Sequence, residues 1–139
     1  MKGLPNLIRL HRWRLDEKRK NLADLERLAA ELRDRGLRLE DEMRHEQDAA
    51  AGSSEAGYAY GPYAKTVISR REAIAASLAE VRSKIAQAAE AVSEAFRELK
   101  RFEVAQERRE QAAKDKTAKQ ERQMLDELGL QGHRSDGSS

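Results

Sequence analysis

Ile74-Ala75-Ala76-Ser77-Leu78-Ala79-Glu80-Val81-Arg82-Ser83-Lys84-Ile85-Ala86-Gln87-Ala88 is the stretch that decides the fold. Apolar side chains return every three or four residues, with small or polar ones between. Extended both ways at the same 4-3 spacing, the seam reads Val67, Arg71, Ile74, Leu78, Val81, Ile85, Ala88, Val92, Ala95, Leu99 and Phe102, apolar everywhere except Arg71. A heptad repeat sustained this long makes a helix that buries one narrow stripe against another helix. A second stripe precedes it: Ile8, His11, Leu15, Lys18, Leu22, Leu25, Ala29, Leu32, Gly36, Leu39 and Met43. Its non-apolar members are His11, Lys18 and Gly36.

Between the stripes, Gly52-Ser53-Ser54-Glu55-Ala56-Gly57-Tyr58-Ala59-Tyr60-Gly61-Pro62 collects three glycines, two serines and a proline. That composition predicts a connector. Pro5 and Pro62 suit the first turns of two helices, where a missing N–H costs nothing. The expected architecture is all-α: a long two-helix antiparallel coiled-coil hairpin over 1–130. It comprises a helix over 5–51, a connector over 52–61 and a longer helix over 62–128, with 131–139 a disordered tail. Pairing outward from the connector brings Phe102 near the start of the first helix. The apolar repeat fails there too, since the same register continues as Gln106, Arg109, Ala113, Lys116, Gln120, Gln123 and Glu127. The rest of the second helix is expected to overhang the first by roughly 20–30 Å. Pairs four apart, Glu110–Lys114 and Asp115–Lys119, would support it. Gly129 would end it as a left-handed cap, with Leu130 folding back onto Leu125.

Composition agrees with a narrow seam rather than a globular core. Of 139 residues 37% are charged and 4% aromatic, and much of the apolar share is alanine. There is no cysteine, which removes disulfides, thiolate metal sites and cysteine nucleophiles. No apolar run is long enough to span a membrane, and the charged opening does not read as a secretory signal, so the expected location is the cytoplasm. Net charge is +2 but uneven. Residues 1–20 carry Lys2, Arg9, Arg12, Arg14, Lys18, Arg19 and Lys20 against Asp16 and Glu17, while residues 21–51 carry five basic and nine acidic side chains.

Chemistry finds little support. Glu42-x-x-His45 has the spacing of a di-iron ligand pair, but the second helix holds no histidine to complete such a site. It reads as surface, and His11 as a partly wet seam residue. No phosphate-binding glycine loop is present, and a two-helix fold offers no concave pocket in which to assemble a triad. No enzyme activity and no cofactor are expected. The basic first turns are interrupted by Leu7, Leu10, Trp13 and Leu15, unlike a basic-zipper reader, so no nucleic acid is expected as a partner.

Two apolar groups lie off the seam. Leu7, Leu10 and Trp13 fall at outer heptad positions. An outward tryptophan among arginines has the character of an interface anchor, or it packs on the overhanging helix. Tyr58, Tyr60 and Tyr63, all three tyrosines, cluster at the hairpin tip, either closing it or presenting it to a partner. Gly36 marks a bend or a close helix approach.

The opening Leu7-Ile8-Arg9-Leu10-x-x-x-x-Leu15, the Phe102-Glu103 region running into a charged helix, and the ending Lys119-Gln120-Glu121-Arg122-Gln123-Met124-Leu125-Asp126-Glu127-Leu128 complete the pattern. Together they resemble the FliJ proteins of the bacterial flagellar type III export apparatus over residues 4–128. The resemblance implies a non-enzymatic stalk, similar to the coiled coil of a rotary ATPase. Its implied partners are the hexameric flagellar export ATPase, the membrane export gate and the export substrate chaperones, at the membrane base of the flagellum. By that analogy Leu7, Leu10, Arg12, Trp13, Met124, Leu125, Asp126 and Glu127 would meet the ATPase, and the tyrosine end would face the gate. A generic coiled-coil scaffold, dimerising with its hairpin opened, is the alternative.

Overall fold

The computed structural model describes the chain over residues 3–137, and the side chains of all of these except 56 and 133–137. Two helices form an antiparallel coiled-coil hairpin: α1, Leu4–Ala51, of 48 residues, and α2, Ser54–Gly137, of 84 residues. Among the described residues there is no strand. Contacts divide the chain into two units, Trp13–Phe96 and Met1–Arg12 with Arg97–Ser139.

In the unit Trp13–Phe96 the heptad pattern does what its spacing dictates. Ala29, Leu32 and Val81 form a buried cluster, against which Leu78 and Ile85 pack. Further toward the turn, the Gly36 Cα faces Ile74, and Arg71 donates to the Met43 sulfur at 3.4 Å. As the numbers rise along α1 they fall along α2, which is antiparallel pairing in one fixed register. Each buried leucine or valine contributes about 1.5–3 kcal/mol by leaving water. The two charged seam positions, Lys18 and Arg71, keep their side chains exposed.

The connector is much shorter than its composition predicts. Only Gly52 and Ser53 lie between the helices, and the expected loop over 52–61 is helical from Ser54 onward. Gly57 N–H donates to the Ser53 carbonyl at 3.0 Å, the first helical bond of α2. Ser53 stands at the N-cap position, and Glu55 in the first turn suits the helix dipole. Pro62 therefore lies inside α2 rather than at its start. Its missing N–H leaves the carbonyl of Tyr58, a residue open to water, which limits the cost. The physical reason for the extension is the stripe itself. Tyr60, Tyr63 and Ala64 are half-buried and Val67 is only 1% exposed, so the seam continues through the glycine-rich stretch and offsets its poor propensity.

In the other unit, the start of α1 packs on α2 through Leu4, Ile8 and Leu99, all buried. The His11 ring stacks on Phe102, centroids 4.6 Å apart and planes inclined by 25°. Beside it the Arg12 guanidinium lies 3.9 Å from the Glu103 carboxylate. Phe102 thus meets the beginning of α1, as the two seams require. Leu4 belongs to the seam as well, four residues before Ile8.

Beyond Ala113 the second helix has no partner from α1 among the described residues, and every side chain from 107 to 132 is exposed. The overhang is longer than expected. Gly129 does not cap it: no glycine among the described residues has a positive φ, and Leu125 and Leu130 both stand open to solvent. Glycine enters helical φ/ψ as readily as the left-handed region, at about 1 kcal/mol relative to alanine, so helix continuation is the smaller departure here. The stretch expected to be a disordered tail, 131–139, is helical through Gly137, and its last two residues lie outside those described. From residue 114 to Gly137 the overhang measures about 36 Å at 1.5 Å per residue. Neither expected charge pair closes along it; the Gln111 amide instead donates to Asp115 at 3.0 Å.

Candidate partner-binding site

Seven of the eight residues expected to meet a partner at the open end, all but Trp13, belong to one unit. Leu7 is half-buried, so it supports the start of α1 as much as it faces outward, contrary to its outer heptad position. The cause is the 3.6-residue turn, which brings residue 7 beside Leu4 and His11 on the covered face. Leu10 is 40% exposed. Arg12 keeps most of its side chain in water while touching Glu103. On the overhang, Met124, Leu125, Asp126 and Glu127 are all exposed, with Leu128 and Leu130 beside them.

A face can be traced up this helix. Met124, Leu125 and Leu128 share it by their spacing, and Glu121, Thr117 and Ala113 continue it downward. The hydroxyl of Thr117 donates back to the Ala113 carbonyl at 3.0 Å, so its polar atom is satisfied within the helix. The strip is solvent-exposed and apolar at its upper end, through Met124, Leu125 and Leu128, with Glu121 interrupting it below and charges at its rim, a make-up suited to meeting another protein.

Trp13 belongs to the unit Trp13–Phe96 and is 60% exposed there. At the turn end of the same unit the tyrosines divide their roles. Tyr60 and Tyr63 are half-buried with ring centroids 6.3 Å apart, closing the tip, whereas Tyr58 is 91% exposed. Partial burial first, and then the carboxylates of Glu46 and Glu42, hold the Tyr63 phenol above its ordinary pKa, with Arg70 pulling the other way.

Two features of the structure lie outside the stripes that run from Ile8 and from Val67. Leu4 completes the buried seam, and the 4-residue step to Ile8 was the signal for it. A furrow of about 440 Å³ is lined by Arg35, Arg38 and Arg70 over Leu39, Ala73 and Ile74, with Glu42 at its edge. It joins arginines from both helices, and no spacing along one helix announces it. His45 and Glu42 are exposed, and among the described residues no group of three acidic or histidine side chains is placed to hold a metal ion. No helix among the described residues is long and apolar enough to cross a membrane.

No curated protein and no solved structure matches the chain significantly. One family model does match, that of the flagellar FliJ protein, over residues 1–138. With a heptad-paired hairpin, a stacked His11–Phe102 closure and a charged free helix already in place, that full-length match settles the kinship: the chain belongs to the flagellar FliJ family and is a flagellar export-related protein.

Proposed function

We propose that this protein is a non-enzymatic stalk that binds the hexameric flagellar export ATPase through its open end and promotes ATP hydrolysis. The observation that carries this reading is the unpartnered helix beyond Ala113, exposed on every side and bearing Met124, Leu125 and Leu128 on one face. A helix left bare by its own hairpin partner is available to a ring-shaped one. Asp126 and Glu127 add charge beside that face, and Leu7, Leu10 and Arg12 contribute from the start of α1. Trp13 acts as a further anchor. The opposite assignment, to the export gate and to substrate chaperones, falls to the tip, where Tyr58 is the exposed aromatic. The working location is the cytoplasmic side of the membrane at the flagellar base.

The test is ATP hydrolysis by the export ATPase of the same organism, with and without this protein. Stimulation near one chain per ring is expected, with loss of that stimulation when residues 112–139 are removed. No stimulation at any ratio, with no binding in sedimentation, would leave a coiled-coil adaptor for a different partner.

A further inference from the structure

The overhang has a second property, visible in the order of its charges. Residues 112–119 carry Lys114, Lys116 and Lys119 against the single Asp115. Residues 121–128 carry Glu121, Asp126 and Glu127 against the single Arg122. The first half is therefore basic and the second acidic, with a boundary at Gln120. Size divides in the same way. Met124, Leu125 and Leu128 are large, while the same face further down offers Ala113 and Thr117, flanked by Ala112 and Ala118.

We propose that this overhang pairs with the overhang of a second copy of the chain, antiparallel and in isologous contact, with Gln120 near the two-fold axis. Antiparallel pairing sets each basic half against an acidic half, and each large apolar group against small residues. Parallel pairing would set like charge on like charge and leucine on leucine at one end only. Opposite charges across a helix pair select orientation and partner, and like charges penalise the alternative. The face used starts at Ala113, where the face that α1 covers ends, and runs beside that seam's register through Thr117, Glu121, Met124 and Leu128. Leu4 and Pro5 lie against Gln106, Arg109, Glu110 and Ala113, so α1 ends where the second copy begins. Between Ala113 and Leu128 the exposed stripe has a length that one such partner fills. Thr117 fits a seam position because its hydroxyl is already bonded to the Ala113 carbonyl, leaving its methyl group outward. The seam is short, so association is weak and reversible, and it depends on salt because the charges at its edges are exposed.

The experiment uses the full chain alone, followed by sedimentation velocity over a hundredfold concentration range at low salt. The mass is expected to rise from monomer toward dimer. Reversal of the basic half (Lys114→Glu, Lys116→Glu and Lys119→Glu together) and of the acidic half (Glu121→Lys, Asp126→Lys and Glu127→Lys together) should each abolish the dimer. Mixing the two reversed chains should restore it as a heterodimer. Circular dichroism on each variant verifies that helix is retained. A chain that stays monomeric throughout overturns the proposal and leaves the face to another protein. So does a dimer that survives removal of residues 112–139, or one indifferent to both reversals. Because no ATPase is present, failure here leaves the stalk reading standing.

Discussion

Gly36 occupies a buried-side position in α1 where a leucine or alanine would be ordinary, and the space around it explains what it is not doing. A methyl group placed there would meet only the Cγ2 of Ile74, at 3.8 Å, an ordinary contact. The helices do not approach so closely that glycine is required. Gly36→Ala should therefore stabilise the protein by about 1 kcal/mol, the helix-propensity difference, seen as a higher midpoint in urea denaturation. Leu32→Ala acts in the opposite direction. It removes a buried side chain from the cluster with Ala29 and Val81 and should cost about 2–4 kcal/mol. Trp13→Ala, at an exposed position, should change stability by less than about 0.5 kcal/mol while weakening the proposed ATPase contact. An equal loss of stability would make Trp13 part of the core. Tyr63 sets a pH dependence whose sign is fixed. Its phenol ionises at higher pH in the folded state than in the unfolded chain. Stability should thus fall as pH rises through the ordinary tyrosine range, about 10, and Tyr63→Phe should reduce that slope.

For α1, periodicity sufficed. Its stripe from Ile8 to Met43 was legible because leucines at heptad spacing have one outcome in water, and among those positions only Lys18 is left exposed. The start of α2 was not legible for a physical reason. Glycine and proline announce a turn through local propensity, but Tyr60, Tyr63 and Val67 bury area against a partner that no local reading includes. Tertiary burial outweighed a propensity cost of a few kcal/mol. It follows that Pro62→Ala should stabilise α2 by up to about 3 kcal/mol, by restoring a bond to the Tyr58 carbonyl and relieving the ring clash. Thermal unfolding followed by circular dichroism would measure it. An unchanged or lower midpoint would mean that Pro62 still serves as a first-turn residue and that the preceding turns add nothing. At the other end the overhang was legible in outline, from the loss of apolar seam residues after Phe102. Its true extent was not, because Gly129 sits in open space where helix and cap differ by so little. Of the candidate partner-binding residues, Leu7, Leu10 and Trp13 were readable as apolar groups off the seam, while Arg12, Met124, Leu125, Asp126 and Glu127 followed from the family resemblance alone; the arginine-lined furrow, formed by α1 and α2 together, had no signature along either helix.

At the scale of the whole chain, the division of labour between paired and unpaired helix can be separated by one truncation. Residues 114–132 are exposed and touch no part of α1 among the described residues, so they add helix without adding core. Helix stability in a folded protein comes mostly from packing an apolar face, and the overhang packs none against α1. Removing residues 114–139 should therefore leave the unfolding midpoint of the isolated, dilute protein nearly unchanged. The helical signal per molecule should fall by the share those residues contribute. The same truncation should eliminate both activities assigned to the overhang, ATPase stimulation and self-association. If the midpoint falls by many degrees instead, the overhang is bonded into the fold in a way its exposure does not register, and both surfaces lose their physical basis. If the midpoint holds but stimulation survives, the ATPase contact lies in α1 alone, on Leu7, Leu10, Arg12 and Trp13.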